Sequence, residues 1–405
     1  MRGKELLFFI CLCAVAACGL DGIAGGNVTQ EDVWTGPGSL VAGGGQEQGI
    51  GKKVRYAVGV DYPQGYDWRT DDMMGSVRCS LVVFANGVPL MKLPVGDEYE
   101  ISPDPDMHRV IEGNLYTDYS TDSETVIKRN GEQLIRYPGR EMIVDIVVED
   151  DLVYTLGQAR DGKGFSFRVN GEELVSRSSG YVFDHLQRTE DGFSFSFCDP
   201  IGSGENVIEK YYHYLAGEIC QVAVREDIKR VWDIIYHDDK ICYLASMVGL
   251  PGPVLAVGNE LTPLTLPKNT MLKSCRFIPG PSSLYIEGRM FQRRNAVFSA
   301  IWKSDELIKV FPYGCTVASE CVYEDGLYCV MNASSRIPDG LIYSNDEVFD
   351  MPEGYVSMGG RSLVVVDGLL YVGLTSVNGD SPAIWVENEM KPLKINGFIS
   401  HMSSD

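Results

Sequence analysis

The amino-acid sequence predicts an all-β body built of eight similar four-stranded units. Two recurring turn phrases and a near absence of helical periodicity predict it. The first phrase is an apolar strand, a turn of Asn, Gly or Asp, usually a glutamate, and a second apolar strand. Its copies are VVFANGVPLMKL, VIKRNGEQLIRY, FSFRVNGEELVS, YHYLAGEICQVAV, VLAVGNELTPLTL, AIWKSDELIKVF, LIYSNDEVFDM and AIWVENEMKPLKI. The residues that close these turns are Val88, Glu132, Glu172, Glu218, Glu260, Glu306, Glu347 and Glu389, at intervals of 40 to 46 residues. A second phrase, richer in Asp and Gly, lies between them. It is clear in IVVEDDLVYTLG, YEDGLYCVM and VVVDGLLYVGL and weaker in RVIEGNLYTD, RTEDGFSFSF and YHDDKICYLA. Asn-Gly and Asp-Gly between apolar runs mark hairpins, because both residues tolerate positive φ. Each period therefore holds two hairpin turns and four strands. ENVIEKYYHY has an apolar pattern readable as a helix, but it runs into a repeat turn and is expected to hold a strand.

One four-stranded sheet per roughly 40–45 residues is the dimension of a propeller blade. A single blade cannot bury both faces, and a ring of blades can. Over residues 52–405 the pattern resembles the β-propeller superfamily. It lacks the WD, kelch and NHL signatures and the aspartate box of sialidases, and the pair Gly359-Gly360 alone does not make a kelch motif. Eight turn phrases imply eight blades. The first begins near Val54–Tyr56, and the last has only the FISHM segment for a fourth strand, so seven blades is the alternative. A β-sandwich array would not explain seven regular intervals. In overall habit the chain resembles Bacteroidetes-type lipoproteins of unknown function.

The amino terminus carries that resemblance further. Arg2 and Lys4 precede an apolar run from Leu6 to Ala17, too short to cross a bilayer as a helix. The run ends in Val15-Ala16-Ala17-Cys18, which resembles the bacterial lipobox. The resemblance implies that residues 1–17 are a signal peptide and that Cys18 becomes the lipidated first residue. An ordinary signal peptide is the alternative. Several acyl chains anchor stably, since each buried CH₂ contributes about 0.8 kcal/mol. Residues 19–51 hold eleven glycines in thirty-three positions, which makes 18–51 a lipidated cysteine and a flexible tether of roughly 30 Å mean span. The expected location is the bacterial cell envelope, at the outer membrane. Only Asp21 follows Cys18 closely, so its periplasmic or surface side stays open.

The chain has 35 basic and 56 acidic residues, a net charge of −21. That excludes nucleic acid as a partner, because phosphates demand a basic surface. The eight cysteines after Cys18 show no CxxC spacing. Cys321 and Cys329 flank Glu324-Asp325-Gly326 and would face each other across a three-residue turn, which makes them the candidate bridge; buried thiols are the default. No cofactor or metal is expected: Asp104 and Asp106 lack the residues that complete a calcium loop, and His108, His185, His213, His237 and His401 form no HExxH pair. There is no GxSxG elbow and no P-loop.

Function is therefore sought on loops held by a rigid scaffold. Naming strands A to D from the axis outward, the sequence reading makes the tight turns D→A and B→C, and the long loops A→B and C→D. The first unit carries the insertion DYPQGYDWRTDDMMGS. Tyr62, Tyr66 and Trp68 offer flat rings and Arg69 a fork for hydroxyls or amides, suited to a glycan or peptide; the alternative is that the rings pin the loop to its own blade. The sixth unit carries EGRMFQRRNAVFS, where Phe291 stands among Arg289, Arg293 and Arg294. Arginine grips carboxylate or phosphate bidentately, and the alternative is salt-bridging to neighbouring acids. The expectation is an envelope binding module for a glycan, peptide or envelope protein, anchored to the membrane by lipid. A glycan-degrading hydrolase or lyase using paired carboxylates, or a structural platform, are the other readings.

Overall fold

The computed structural model describes residues 53–67, 79–94, 108–183, 185–201, 208–292, 296–332, 340–358 and 360–404. Eight antiparallel sheets follow one another around a ring, so the body is an eight-bladed β-propeller. Alternating apolar strands and positive-φ turns leave no helix among the described residues.

Blade 1 closes the ring. Its innermost strand is the carboxyl-terminal Gly397–Ser404, paired with Arg55–Asp61, which pairs in turn with Ser80–Ala85 and then Val88–Pro94. The FISHM segment is thus the closing strand, and the count is eight rather than seven. In the other blades chain order runs from the axis outward. Their innermost strands are His108–Ile111 (blade 2), Glu141–Glu149 (blade 3), Ile228–His237 (blade 5), Met271–Ile278 (blade 6) and Thr316–Tyr323 (blade 7). In blades 4 and 8 the innermost strand is broken, into Tyr181–Val182 with Gln187–Thr189 and Tyr355–Val356 with Leu363–Val366.

All eight turn-closing residues, Val88 to Glu389, are the first residue of an outermost strand. That corrects the strand names. The first phrase joins the third strand to the fourth, and the second phrase joins the first to the second. The tight turns are A→B and C→D; the long loops are B→C and D→A. The offset arises because the chain's first strand is the second strand of its blade, and the inner place is filled from the far end of the sequence. The separation into a tight-turn face and a long-loop face is unaffected, since turns of either kind share one end of a meander.

The Asn-Gly turns take the type I′ form that a twisted two-residue hairpin requires. Asn130 and Gly131 have φ of 54° and 85°, and Asn170 and Gly171 have 48° and 84°. Ile208–Leu215 is a strand, as expected. Cys321 faces Tyr328 and Cys329 faces Glu320, because the intervening turn has two residues, not three. The cross-strand bridge is therefore set aside, and all eight cysteines from Cys79 to Cys329 are free.

The core lies between blades, where second and third strands are buried on both sides. Leu156, Phe165 and Phe167 of blade 3 pack on Phe193, Phe195, Phe197 and Tyr214 of blade 4. Trp302 of blade 6 is fully buried with Leu244 and Leu255 of blade 5. Each such side chain contributes about 1.5–3 kcal/mol by leaving water.

Candidate functional site

Of the sequence-selected residues, Tyr62, Tyr66, Arg289 and Phe291 are described. Tyr62 is 8% exposed, its ring 5.2 Å from Tyr66 and 6.4 Å from Phe398 on the closing strand. Its amide donates to the carbonyl of Asn396 at 2.8 Å. The Asn396 side-chain amide donates to the carbonyls of Pro63 (2.8 Å) and Tyr66 (3.1 Å). The start of the first-blade insertion is thus packed against the closing strand. Burial, with Cys79 and Tyr66 beside it, pushes the Tyr62 phenol above its ordinary range. Trp68 and Arg69 lie outside the described residues, as do Arg293 and Arg294. Arg289 donates from Nε to Glu287 (3.4 Å) and from Nη2 to the carbonyl of Val317 (3.3 Å), tying blade 6 to blade 7. Phe291 is half-buried opposite Met271. Tyr62 and Arg289 stand on different blades and do not form one site.

The long-loop face is ringed by exposed apolar side chains. Ile208 (66%), Met271 (61%), Val248 (58%), Met142 (49%) and Val377 (47%) all sit at ends of strands or in loops on this face. They are distributed over blades 3, 4, 5, 6 and 8. Exposed apolar side chains stand on the tight-turn face as well, among them Val88 (61%), Leu152 (38%) and Leu369 (37%).

Along the axis runs a polar belt that sequence reasoning missed. One rung of the innermost strands places Asp145 opposite Leu156, Asp233 opposite Leu244, Arg276 opposite Glu287, Ser319 opposite Val330 and His401 opposite Val58. At Asp145, Asp233, Ser319 and His401 the register shifts by one residue. Such a bulge re-aims a side chain that a regular strand would direct elsewhere. The belt then links blade to blade. His185 Nε2 lies 3.0 Å from Asp233 Oδ2, which also accepts from the Phe277 amide at 2.7 Å. Arg276 holds Glu287 and Glu320, each at 2.7 Å. Ser319 Oγ donates to the carbonyl of Gly360 and accepts from the Ser362 amide, both at 3.1 Å. Arg361 and Arg109 meet Asp145 at 3.0 and 4.0 Å. His108 Nδ1 lies 2.9 Å from Ser400 Oγ. These contacts connect all eight blades.

The electrostatics follow burial and pairing. Burial lowers His108 to about 4, with Arg109 adding to the effect. Burial, then Arg109 and Arg361, holds His401 well below its ordinary value. Burial would raise Glu287, but Arg276, Arg289 and Ser299 outweigh it and hold the carboxylate below its usual range. Burial raises Glu320 despite Arg276. Both Glu287 oxygens are engaged, Oε1 by Ser299 and Arg289 and Oε2 by Arg276, which suits a structural ion network better than an acid–base pair. Among the described residues no three His, Cys, Asp or Glu are grouped to hold a metal ion.

No family model matches the chain, and no curated protein matches it. Solved structures do. The β-propeller domain of the Trilobed protease from Pyrococcus furiosus is 9% identical over 67% of this chain and 86% of that chain, with a TM-score of 0.43. The Pyrococcus horikoshii acylaminoacyl peptidase is 10% identical over 75% of this chain and 54% of that chain, with a TM-score of 0.42. A polysaccharide lyase of family PL25, an ulvan lyase, is 10% identical over 75% and 94%, with a TM-score of 0.35. The chain is similar to about half the length of the acylaminoacyl peptidase. The eight blades by themselves define the chain as a β-propeller in fold. At such identities the likenesses say nothing of activity.

Proposed function

We propose that this propeller is a lipid-anchored module of the bacterial cell envelope that receives a partner protein on its long-loop face. One observation carries the reading: five strongly exposed apolar side chains, Met142, Ile208, Val248, Met271 and Val377, stand at the loop ends of that face on five of the eight blades. Exposed apolar side chains set among polar ones suit a protein-docking surface. The lipobox at Cys18 and the glycine-rich tether of 19–51 support the anchoring half of the proposal. Roughly 30 Å of tether leaves either face free to meet a partner.

The test has two arms. Cys18→Ala should release the protein from membranes, and persistence in the membrane fraction at high salt removes the anchor. For the face, a photo-crosslinking residue is placed at Val248 or Met271, and as a control at Leu369 on the tight-turn face. Discrete crosslinked species in intact cells are expected from the first two positions alone. The same pattern from all three positions refutes the assignment of the face.

A further inference from the structure

Between blades 4 and 5 a groove of about 470 Å³ opens among the tight turns, on the face opposite the long loops. That size lies within the usual range of small-molecule sites, about 300–1,000 Å³. One wall is the outer half of blade 4, with His213 on the strand Ile208–Leu215 and Glu218 and Gln221 on the strand Glu218–Gln221. The other wall is blade 5, with Tyr236 on its innermost strand and Asp239 and Asn259 at its two tight turns.

A second observation points to a ligand. His213 is 1% exposed and its Nε2 is buried without a hydrogen-bond partner, although the residue lines the groove. The ring is fixed from behind. Nδ1 lies 2.8 Å from Ser196 Oγ, and Tyr236 stacks on it at 5.4 Å and 17°. A buried polar atom left unpaired costs about 1–3 kcal/mol, and a ligand would pair with Nε2 only by displacing the side chains that cover it, since the atom itself is closed to solvent. Burial keeps the imidazole neutral, lowering it to about 4. It therefore offers a single donor or acceptor and no charge.

The lining selects the ligand class. Glu218 and Asp239 disfavour an anion, and Lys240 beside them offsets only one of the two charges. Gln221 and Asn259 each present both a donor and an acceptor, and the carboxylates accept only. Neighbouring hydroxyls of a sugar ring donate and accept in turn, which this set can satisfy. We propose that the groove between blades 4 and 5 is a carbohydrate subsite for a neutral glycan, with the stacked His213 and Tyr236 in its wall and Gln221, Asn259, Glu218 and Asp239 as hydroxyl partners. It is separate from the partner-docking face and does not depend on it.

The experiment uses the full-length chain carrying Cys18→Ala, titrated with neutral gluco-, manno-, galacto- and xylo-oligosaccharides. Calorimetry and the His213 imidazole resonances are followed together. Saturable binding of at least one series is expected, with a shift of the His213 signals. Gln221→Ala combined with Asn259→Ala should weaken it tenfold or more without changing the melting temperature. Val248→Glu, on the opposite face, should leave it unchanged. Absence of saturable binding across the four series overturns the proposal, as does full affinity in the Gln221→Ala, Asn259→Ala protein. Binding confined to peptides or acidic sugars also overturns it. Loss of glycan binding in Val248→Glu would place the glycan on the long-loop face instead.

Discussion

Arg361 of blade 8 donates to Asp145 of blade 3 at 3.0 Å, joining residues 216 positions apart in the chain. Blades 1 and 2 lie between them, so this bond runs across the ring rather than around it. Asp145 also faces Arg109, whose side chain is buried. The two partners are unequal: the Arg361 side chain is 42% exposed and that of Asp145 14%. Arg361→Gln should therefore cost 1 kcal/mol or less, since water replaces the lost pair, by the usual worth of exposed pairs of about 0–1 kcal/mol. Asp145→Asn removes the largely buried carboxylate that both arginines face and should cost more, about 2–4 kcal/mol. Urea unfolding of the two variants checks the order. Equal costs would mean that the belt is solvated at this point.

The buried histidines set a pH dependence. His108 and His213 are both lowered from 6.5 to about 4, chiefly by burial. The folded protein therefore binds fewer protons than the unfolded chain in this window. Their contribution is fully present above about pH 6.5 and is lost as pH falls towards 4. Each adds a slope of up to about 1.4 kcal/mol per pH unit. Stability should decline between pH 6.5 and 4.5, before carboxylates such as Glu287 begin to matter. His213→Gln should flatten that decline by about one proton's worth, measured by urea unfolding at several pH values. An unchanged slope in the variant would show that His213 is protonated without unfolding.

The Asn-Gly turns separate two causes of strain. A side chain at Gly131 would meet Leu93 at 3.4 Å, an ordinary contact, whereas at Gly171 it would meet Ile135 at 2.8 Å. Both glycines have positive φ. Gly131→Val should cost about 1–2 kcal/mol from backbone conformation alone. Gly171→Val should cost more, because Ile135 must also move. Thermal melting of both variants gives the comparison, and a smaller loss at Gly171 would refute it.

These turns are also where the sequence was most legible. Asn-Gly and Asp-Gly at regular spacing encode hairpins locally, so each of the eight turn-closing residues fell at the start of a strand. Which strand lies at the axis is not local. It depends on Gly397–Ser404 pairing with Arg55–Asp61, a contact between the two ends of the propeller. The polar belt was hidden for a related reason. Asp145 and Asp233 each interrupt an apolar run, in IVDIVV and VWDIIY, which is a readable signal. Their partners Arg361 and His185 stand in breaks of innermost strands, where no period survives. Tyr62 shows the limit of composition: an aromatic in an insertion looks the same whether it stacks on a ligand or, as its contacts with Tyr66 and Phe398 have it, on its neighbours.

The closing strand should decide whether the propeller folds at all. Gly397–Ser404 buries Phe398 (1% exposed), Ile399 (0%) and Met402 (4%). Ile399 and Met402 pack with Tyr371, Ile384 and Val386 of blade 8, and Phe398 packs with Val60 of blade 1 and with Val110 and Leu115 of blade 2. One strand therefore holds three blades. Losing three such side chains removes roughly 6 kcal/mol of apolar burial, comparable with the whole stability of a typical domain, about 5–15 kcal/mol. It also exposes the backbone edge of Arg55–Asp61 to pairing with other chains. Deletion of 397–405 should abolish the cooperative thermal transition and promote aggregation. Phe398→Ala alone should lower stability by about 3–5 kcal/mol and remain folded. A synthetic peptide spanning 396–405, added to the truncated chain during refolding, should restore a cooperative melt, because the missing piece is a strand and not a fold. A truncated chain that melts within a few degrees of the full protein would show that seven blades and an open eighth suffice.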